Sequence, residues 1–100
     1  MVQIKVPKRK LAAFCKRNQS RKLALFGSVV RDDFTPQSDV DVLVEFYPEA
    51  HIGFFRLFAI ERELSELFQG RPVDIVTFGA LYHRLRDRVL AESVMQYEER

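Results

Sequence analysis

Apolar positions along this chain fall into short strand-like runs separated by helical stripes. Pro7 suits the first turn of a helix, and Leu11, Phe14, Cys15 and Asn18 follow at helical spacing. Lys22 to Phe26 reads as a short buried strand that ends in a Gly27-Ser28 turn. The turn opens a short helix, Val29 to Asp33, which Pro36 cuts off. Asp39 to Phe46 predicts a second strand, with Val40, Val42 and Val44 on one face because side chains alternate along a strand. Pro48 and Gly53 bracket a loop. A stripe of Leu57, Ile60, Leu64, Leu67 and Phe68 then predicts an amphipathic helix, with Arg56, Glu63 and Glu66 largely off the stripe. Gly70 is its stop signal. Pro72 to Phe78 predicts a third strand, and Ala80 to Glu92 a last helix that uses Leu81, Leu85 and Val89. Val94 to Tyr97 reads as a final helical turn or as a small edge strand. Phe54, Phe55 and Phe58 are most simply core, the alternative being an exposed patch for a partner. The order α-β-α-β-α-β-α predicts an α/β (α+β) fold, a small mixed sheet flanked by helices.

One hundred residues make one domain, 1–100, with room for a single core and few accessories. The one cysteine, Cys15, excludes an internal disulfide and a cysteine zinc cluster. With no histidine near it in sequence, it reads as a core residue of the first helix. No apolar stretch approaches the roughly 20 residues that span a bilayer, and the basic N-terminus lacks the apolar segment of a secretory leader. A cytoplasmic protein is expected. The net charge of +2 hides an asymmetry: residues 1–31 carry nine Lys or Arg and no acid. A solvated face is the ordinary meaning of such a run. These bases are scattered and not interleaved with stacking aromatics, so direct nucleic-acid binding is not expected. Neither His51 nor His83 has metal-ligand spacing.

The chemistry concentrates at two places. Asp39 and Asp41 point the same way from the start of the second strand, and two like charges side by side each resist ionisation. A divalent cation removes that conflict, since Mg²⁺ is held by one or two carboxylates plus substrate phosphates. Gly27-Ser28 offers the other half, backbone N–H groups and a hydroxyl that can cradle phosphate. Asp74, between Val73 and Ile75, is costly on a strand without a partner. If the third strand lies beside the second, Asp74 joins the pair, and three carboxylates can hold the two metals of in-line nucleotidyl transfer. Plainer readings exist for each part. The aspartate pair can merely open a strand, Ser28 can cap a helix, and Asp74 can pair with Arg71 or Arg62. Glu45 shares the aspartates' face but lies farther along the strand and reads as structural.

The run Phe26-Gly27-Ser28-Val29-Val30-Arg31, ten residues from Ser28 to Asp39-Val40-Asp41, and Val73-Asp74-Ile75 resemble the minimal nucleotidyltransferases of the polymerase-beta superfamily. The resemblance covers nearly the whole chain and extends to MntA-like antitoxins of HEPN/MNT toxin-antitoxin modules. It implies a polymerase-beta-like nucleotidyltransferase core in which Gly27 and Ser28 contact nucleotide phosphates. Arg31 would steady the loop or a phosphate, and Asp39, Asp41 and Asp74 would be the catalytic, Mg²⁺-binding triad. The implied reaction is Mg²⁺-dependent transfer of AMP from ATP to a hydroxyl, with a tyrosine of a cognate HEPN toxin as acceptor within a hetero-oligomeric complex. The alternatives are a non-catalytic antitoxin that neutralises its partner by complex formation, and an RNA-end nucleotidyltransferase. One position departs from the family pattern. Asp32 stands where members often have glycine, and it either weakens phosphate binding or caps the short helix or pairs with Arg31.

Overall fold

The computed structural model describes residues 2–77 and 83–99. Elements follow in the order α1 (Lys8–Arg17), β1 (Ser20–Phe26), a 3-10 turn (Gly27–Val30), β2 (Val40–Phe46), α2 (Phe54–Leu67), β3 (Val73–Thr77), α3 (His83–Glu92) and β4 (Val94–Glu98). The predicted positions Phe78, Ala80 and Leu81 lie outside the described residues.

The four strands make one mixed sheet in the order β3-β2-β1-β4. β1 pairs antiparallel with both β2 and β4, whereas β2 and β3 run parallel. Parallel neighbours need a crossover, usually helical, and α2 supplies it. One face of the sheet carries Leu23, Leu25, Val40, Val42 and Val44, and against it pack Leu11, Phe14 and Cys15 of α1 with Ile60, Leu64 and Phe68. Burial pushes the Cys15 thiol up to about 11, with a Ser20 hydrogen bond opposing in part, so this cysteine is an inert core residue.

Asn18 joins the two helices on that face. It is 6% exposed, and its Nδ2 donates to the Phe14 carbonyl at 3.0 Å while Oδ1 accepts from Arg56 at 3.0 Å. Arg17 pairs with Glu63 of α2. Arg21 and Lys22 pair with Glu45 and Glu98. Part of the basic N-terminal third is therefore matched by acids from the rest of the chain.

Three expectations change and one open question closes. β1 starts at Ser20 and not Lys22, with a register shift between those residues where it meets β2. The segment after β1 is a 3-10 turn over Gly27–Val30 and not a helix from Val29 to Asp33. The open question at the C-terminus resolves in favour of a strand, and β4 is an edge strand. Phe54, Phe55 and Phe58 are 80%, 91% and 58% exposed and are not core. At 3.6 residues per turn they point away from the Ile60–Leu64 stripe that packs on the sheet.

Candidate active site

Sheet register assembles the site. Because β2 and β3 are parallel, their N-terminal ends lie together, and Asp41 stands directly across from Asp74. On the other side, β1 runs antiparallel to β2 and ends with Phe26 opposite Asp41. The chain therefore enters Gly27 beside the same carboxylate. Asp39 immediately precedes β2, and its charge is close enough to act on Asp41. Asp39 and Asp74 are exposed and Asp41 is partly buried.

Gly27 is fixed by two independent demands. Its φ of +75° is a left-handed conformation that costs a residue with a Cβ. A Cβ placed there would also run into the Asp41 carboxylate, with Cγ only 3.2 Å away. Among the described residues, nothing stands within 4 Å of the equivalent position at Gly53 or Gly70. This close approach puts the start of the 3-10 turn, one residue before Ser28, against the Asp41 carboxylate.

The electrostatics are strained in one direction. The pKa of Asp41 is raised, first by burial, then by the charges of Asp74 and Asp39, with Arg31 opposing and Glu92 adding to the rise. Among the described residues, no Lys or Arg forms a salt bridge with Asp39, Asp41 or Asp74. Asp74 pairs with neither Arg71 nor Arg62, and Arg71 instead stacks over the Phe34 ring at 4.8 Å. Among the described residues, no three His, Cys, Asp or Glu side chains cage a metal unaided.

Arg31 lies at the end of the same turn. It pairs with Asp33 at 3.2 Å and with Glu92 at 3.3 Å, and these contacts, Asp33 foremost, push its pKa further up. Asp32 is exposed, and the guanidinium selects Asp33 in its place. An open hollow of about 540 Å³ lined by Val30, Arg31, Asp32 and Asp33 adjoins the turn. Glu92 was not legible as a site residue. Its oxygen Oε1 accepts the Gly27 N–H at 3.1 Å and an Arg31 Nη1 donor at 3.3 Å. The only sequence signal was its place at the α3–β4 junction, which acquires meaning once β4 is known to pair with β1.

The nucleotidyltransferase domain family matches residues 8–95. Two proteins of Methanocaldococcus jannaschii, each described as a candidate protein adenylyltransferase, are similar to this chain. One is 32% identical over 87 residues, covering 87% of this chain and 90% of its own length. The other is 41% identical over 61 residues, covering 61% and 59%. The solved structure of a candidate minimal nucleotidyltransferase is 31% identical with a TM-score of 0.72, covering 87% of this chain and 86% of that one. A toxin-antitoxin structure with AMP-PNP matches with a TM-score of 0.74 at 16% identity, covering 95% and 76%. A tri-AMPylated HEPN toxin from Shewanella oneidensis in complex with its MNT antitoxin matches at 0.65 and 16%, covering 92% and 70%. At such identities the last two are likenesses of fold.

Proposed function

The chain belongs to the nucleotidyltransferase domain family, and from that premise we propose that it transfers AMP from ATP to a hydroxyl of a HEPN-domain partner, a tyrosine being the acceptor. The observation that carries this reading is the approach of the Gly27 turn to Asp41, with Asp74 across the strand pair. Phosphate donors and unneutralised carboxylates on adjoining strand ends are what nucleotidyl transfer requires.

The donor set fits Mg²⁺. Asp41 and Asp74 with Asp39 form an uncompensated anionic cluster, and Mg²⁺ takes one or two carboxylates and completes its shell with phosphate oxygens and water. When bound there, Mg²⁺ would offset charge on the triphosphate and make the acceptor hydroxyl more acidic. The chain's own groups orient the reactants. Gly27 and Ser28 hold the phosphates through N–H and hydroxyl donors, and Arg31 adds a charged fork. The acceptor oxygen bonds to the α-phosphorus, the bond to the pyrophosphate oxygen breaks, and the acceptor proton passes to a carboxylate of the cluster, the exposed Asp74 being assigned that role. Holding both reactants in line and stabilising the charge that develops on the phosphate oxygens supply the acceleration.

The HEPN partner and the AMP donor draw support from the fold likeness to the toxin-antitoxin structures and from the adenylyltransferase relatives. The test is transfer of label from α-phosphate-labelled ATP with Mg²⁺ to proteins of a host extract and to the co-expressed HEPN-domain protein, with Asp41→Asn as control. A labelled protein band that the variant loses supports the reading, and label in RNA overturns it. A second reading, a binding module that occludes its partner without catalysis, draws on the sharing of Arg31's charge by Asp33 and Glu92. No incorporation with the partner present would select it.

A further inference from the structure

Glu92 closes α3, and after Ser93 the chain enters β4, whose Val94 pairs with Leu25 of β1. That pairing carries Glu92 to the end of β1, where the Gly27 turn begins. Its carboxylate there takes the Gly27 N–H at 3.1 Å and Arg31 Nη1 at 3.3 Å through Oε1 and 3.4 Å through Oε2. These two groups, a backbone N–H with φ of +75° and a guanidinium, are the donors assigned above to nucleotide phosphate.

We infer that Glu92 is a resident anion that occupies the phosphate cradle and must leave when a nucleoside triphosphate binds. The inference rests on the nucleotidyl-transfer reading. Three observations carry it. Both donors converge on one carboxylate, as they would on one phosphate oxygen pair. The carboxylate belongs to a side chain with three rotatable bonds at a helix end, so it can swing away without moving the sheet. Arg31 and Glu92 are also 47% and 27% exposed at their side chains, so their pairing is solvent-screened and readily exchanged. Glu92 further adds a negative charge near Asp41, a place a carboxylate would otherwise avoid.

A site occupied by its own anion binds ligand with an affinity reduced by the fraction of open molecules. Removal of the carboxylate therefore tightens nucleotide binding. The experiment is calorimetric titration of the full chain, wild type, Glu92→Ala and Glu92→Gln, with ATP and Mg²⁺, repeated with inorganic tripolyphosphate. Glu92→Ala is expected to lower the ATP dissociation constant by about two- to fivefold, the upper part of the range set by a weak screened pair. Glu92→Gln keeps an acceptor for the Gly27 N–H but loses the ion pair, so it gains less. It also guards against a folding failure in the alanine variant, which a thermal melt of each chain detects. The gain must appear with tripolyphosphate, and a gain confined to ATP overturns the inference. Binding by wild type that both variants leave unchanged or weaken also overturns it and leaves the nucleotidyl-transfer reading standing. Absence of ATP binding in all three chains overturns that reading and the inference with it.

Discussion

Asn18 and Asp41 are two polar side chains drawn into the same small fold, and they are treated in opposite ways. Asn18 is almost wholly enclosed, and Phe14 and Arg56 match its donor and acceptor. Asp41 keeps partial contact with water, yet its neighbours on either side are carboxylates and a glycine turn pressed against it. A protein that needed only to fold would treat both as it treats Asn18, since unmatched buried charge is expensive. On the proposed function, the difference separates polar residues that hold the structure from those held in tension for a ligand.

The largest expected effect comes from removing the tension. Asp41→Asn should lower nucleotidyl transfer by at least about a hundredfold, in line with losing a group that positions or stabilises charge in the transition state. The same substitution should leave the melting temperature unchanged or raise it, because it removes a desolvated, repelled charge. A labelled-ATP assay beside a thermal melt reads both, and a marked fall in melting temperature would show that Asp41 is structural after all. Mg²⁺ should stabilise the wild type by mass action and fail to stabilise the variant.

Gly27→Ala should damage activity and stability together. The left-handed backbone alone costs on the order of 1 kcal/mol, and the collision with Asp41 adds to it. A substitution that cost stability but spared transfer would separate the turn from the site. Asn18→Ala is the mirror experiment. The Phe14 carbonyl keeps the backbone N–H of residue 18 and the exposed Arg56 turns to water, so losing the side-chain hydrogen bonds should cost about 0.5–1.5 kcal/mol in denaturant unfolding with kcat unchanged.

The smallest effect is the pH dependence. Asp41 has a raised pKa in the folded chain, so the native state binds its proton more tightly than the unfolded state does. Its contribution to stability is fully present below the unfolded carboxylate value near 3.8 and is lost as pH rises through the raised folded value. Denaturant titrations of wild type minus Asp41→Asn across that interval should slope downward with pH. A flat difference would mean that Asp41 carries no net strain.

Much of this contrast was legible in the residues. Alternation at Val40, Val42 and Val44 set β2 and its faces, and it followed that Asp39 and Asp41 begin the strand. Asp74 could be placed beside them only on the condition that β3 neighbours β2, since strand order depends on non-local pairing that periodicity does not encode. The exposed aromatics were misjudged although the signal was present. Phe54, Phe55 and Phe58 lie on the far side of the helical wheel from Ile60, and hydrophobicity outweighed phase in reading them. The role of Glu92 was out of reach for a different reason. It depends on β4 returning to β1, and Val94 to Tyr97 supports a strand or a helical turn equally well until a partner strand is known.

That return has a consequence for how the molecule comes into being. β1 meets β2 across a loop of modest length, but Leu25 meets Val94 only after roughly seventy residues of chain have been gathered in, a contact with a large loop-closure cost. The central strand should therefore acquire its first neighbour early and its second late. Pulse-labelled hydrogen exchange would show β4 amides gaining protection after those shared by β1 and β2, and simultaneous protection would refute the order. Residues 27, 41, 74 and 92 come from four separate stretches of the chain, so a nascent copy lacking the last strand would retain much of its core and keep Gly27 beside Asp41 and Asp74 without the strand pairing that carries Glu92 to the turn. The anion that guards the phosphate cradle would then arrive with the final stretch to dock.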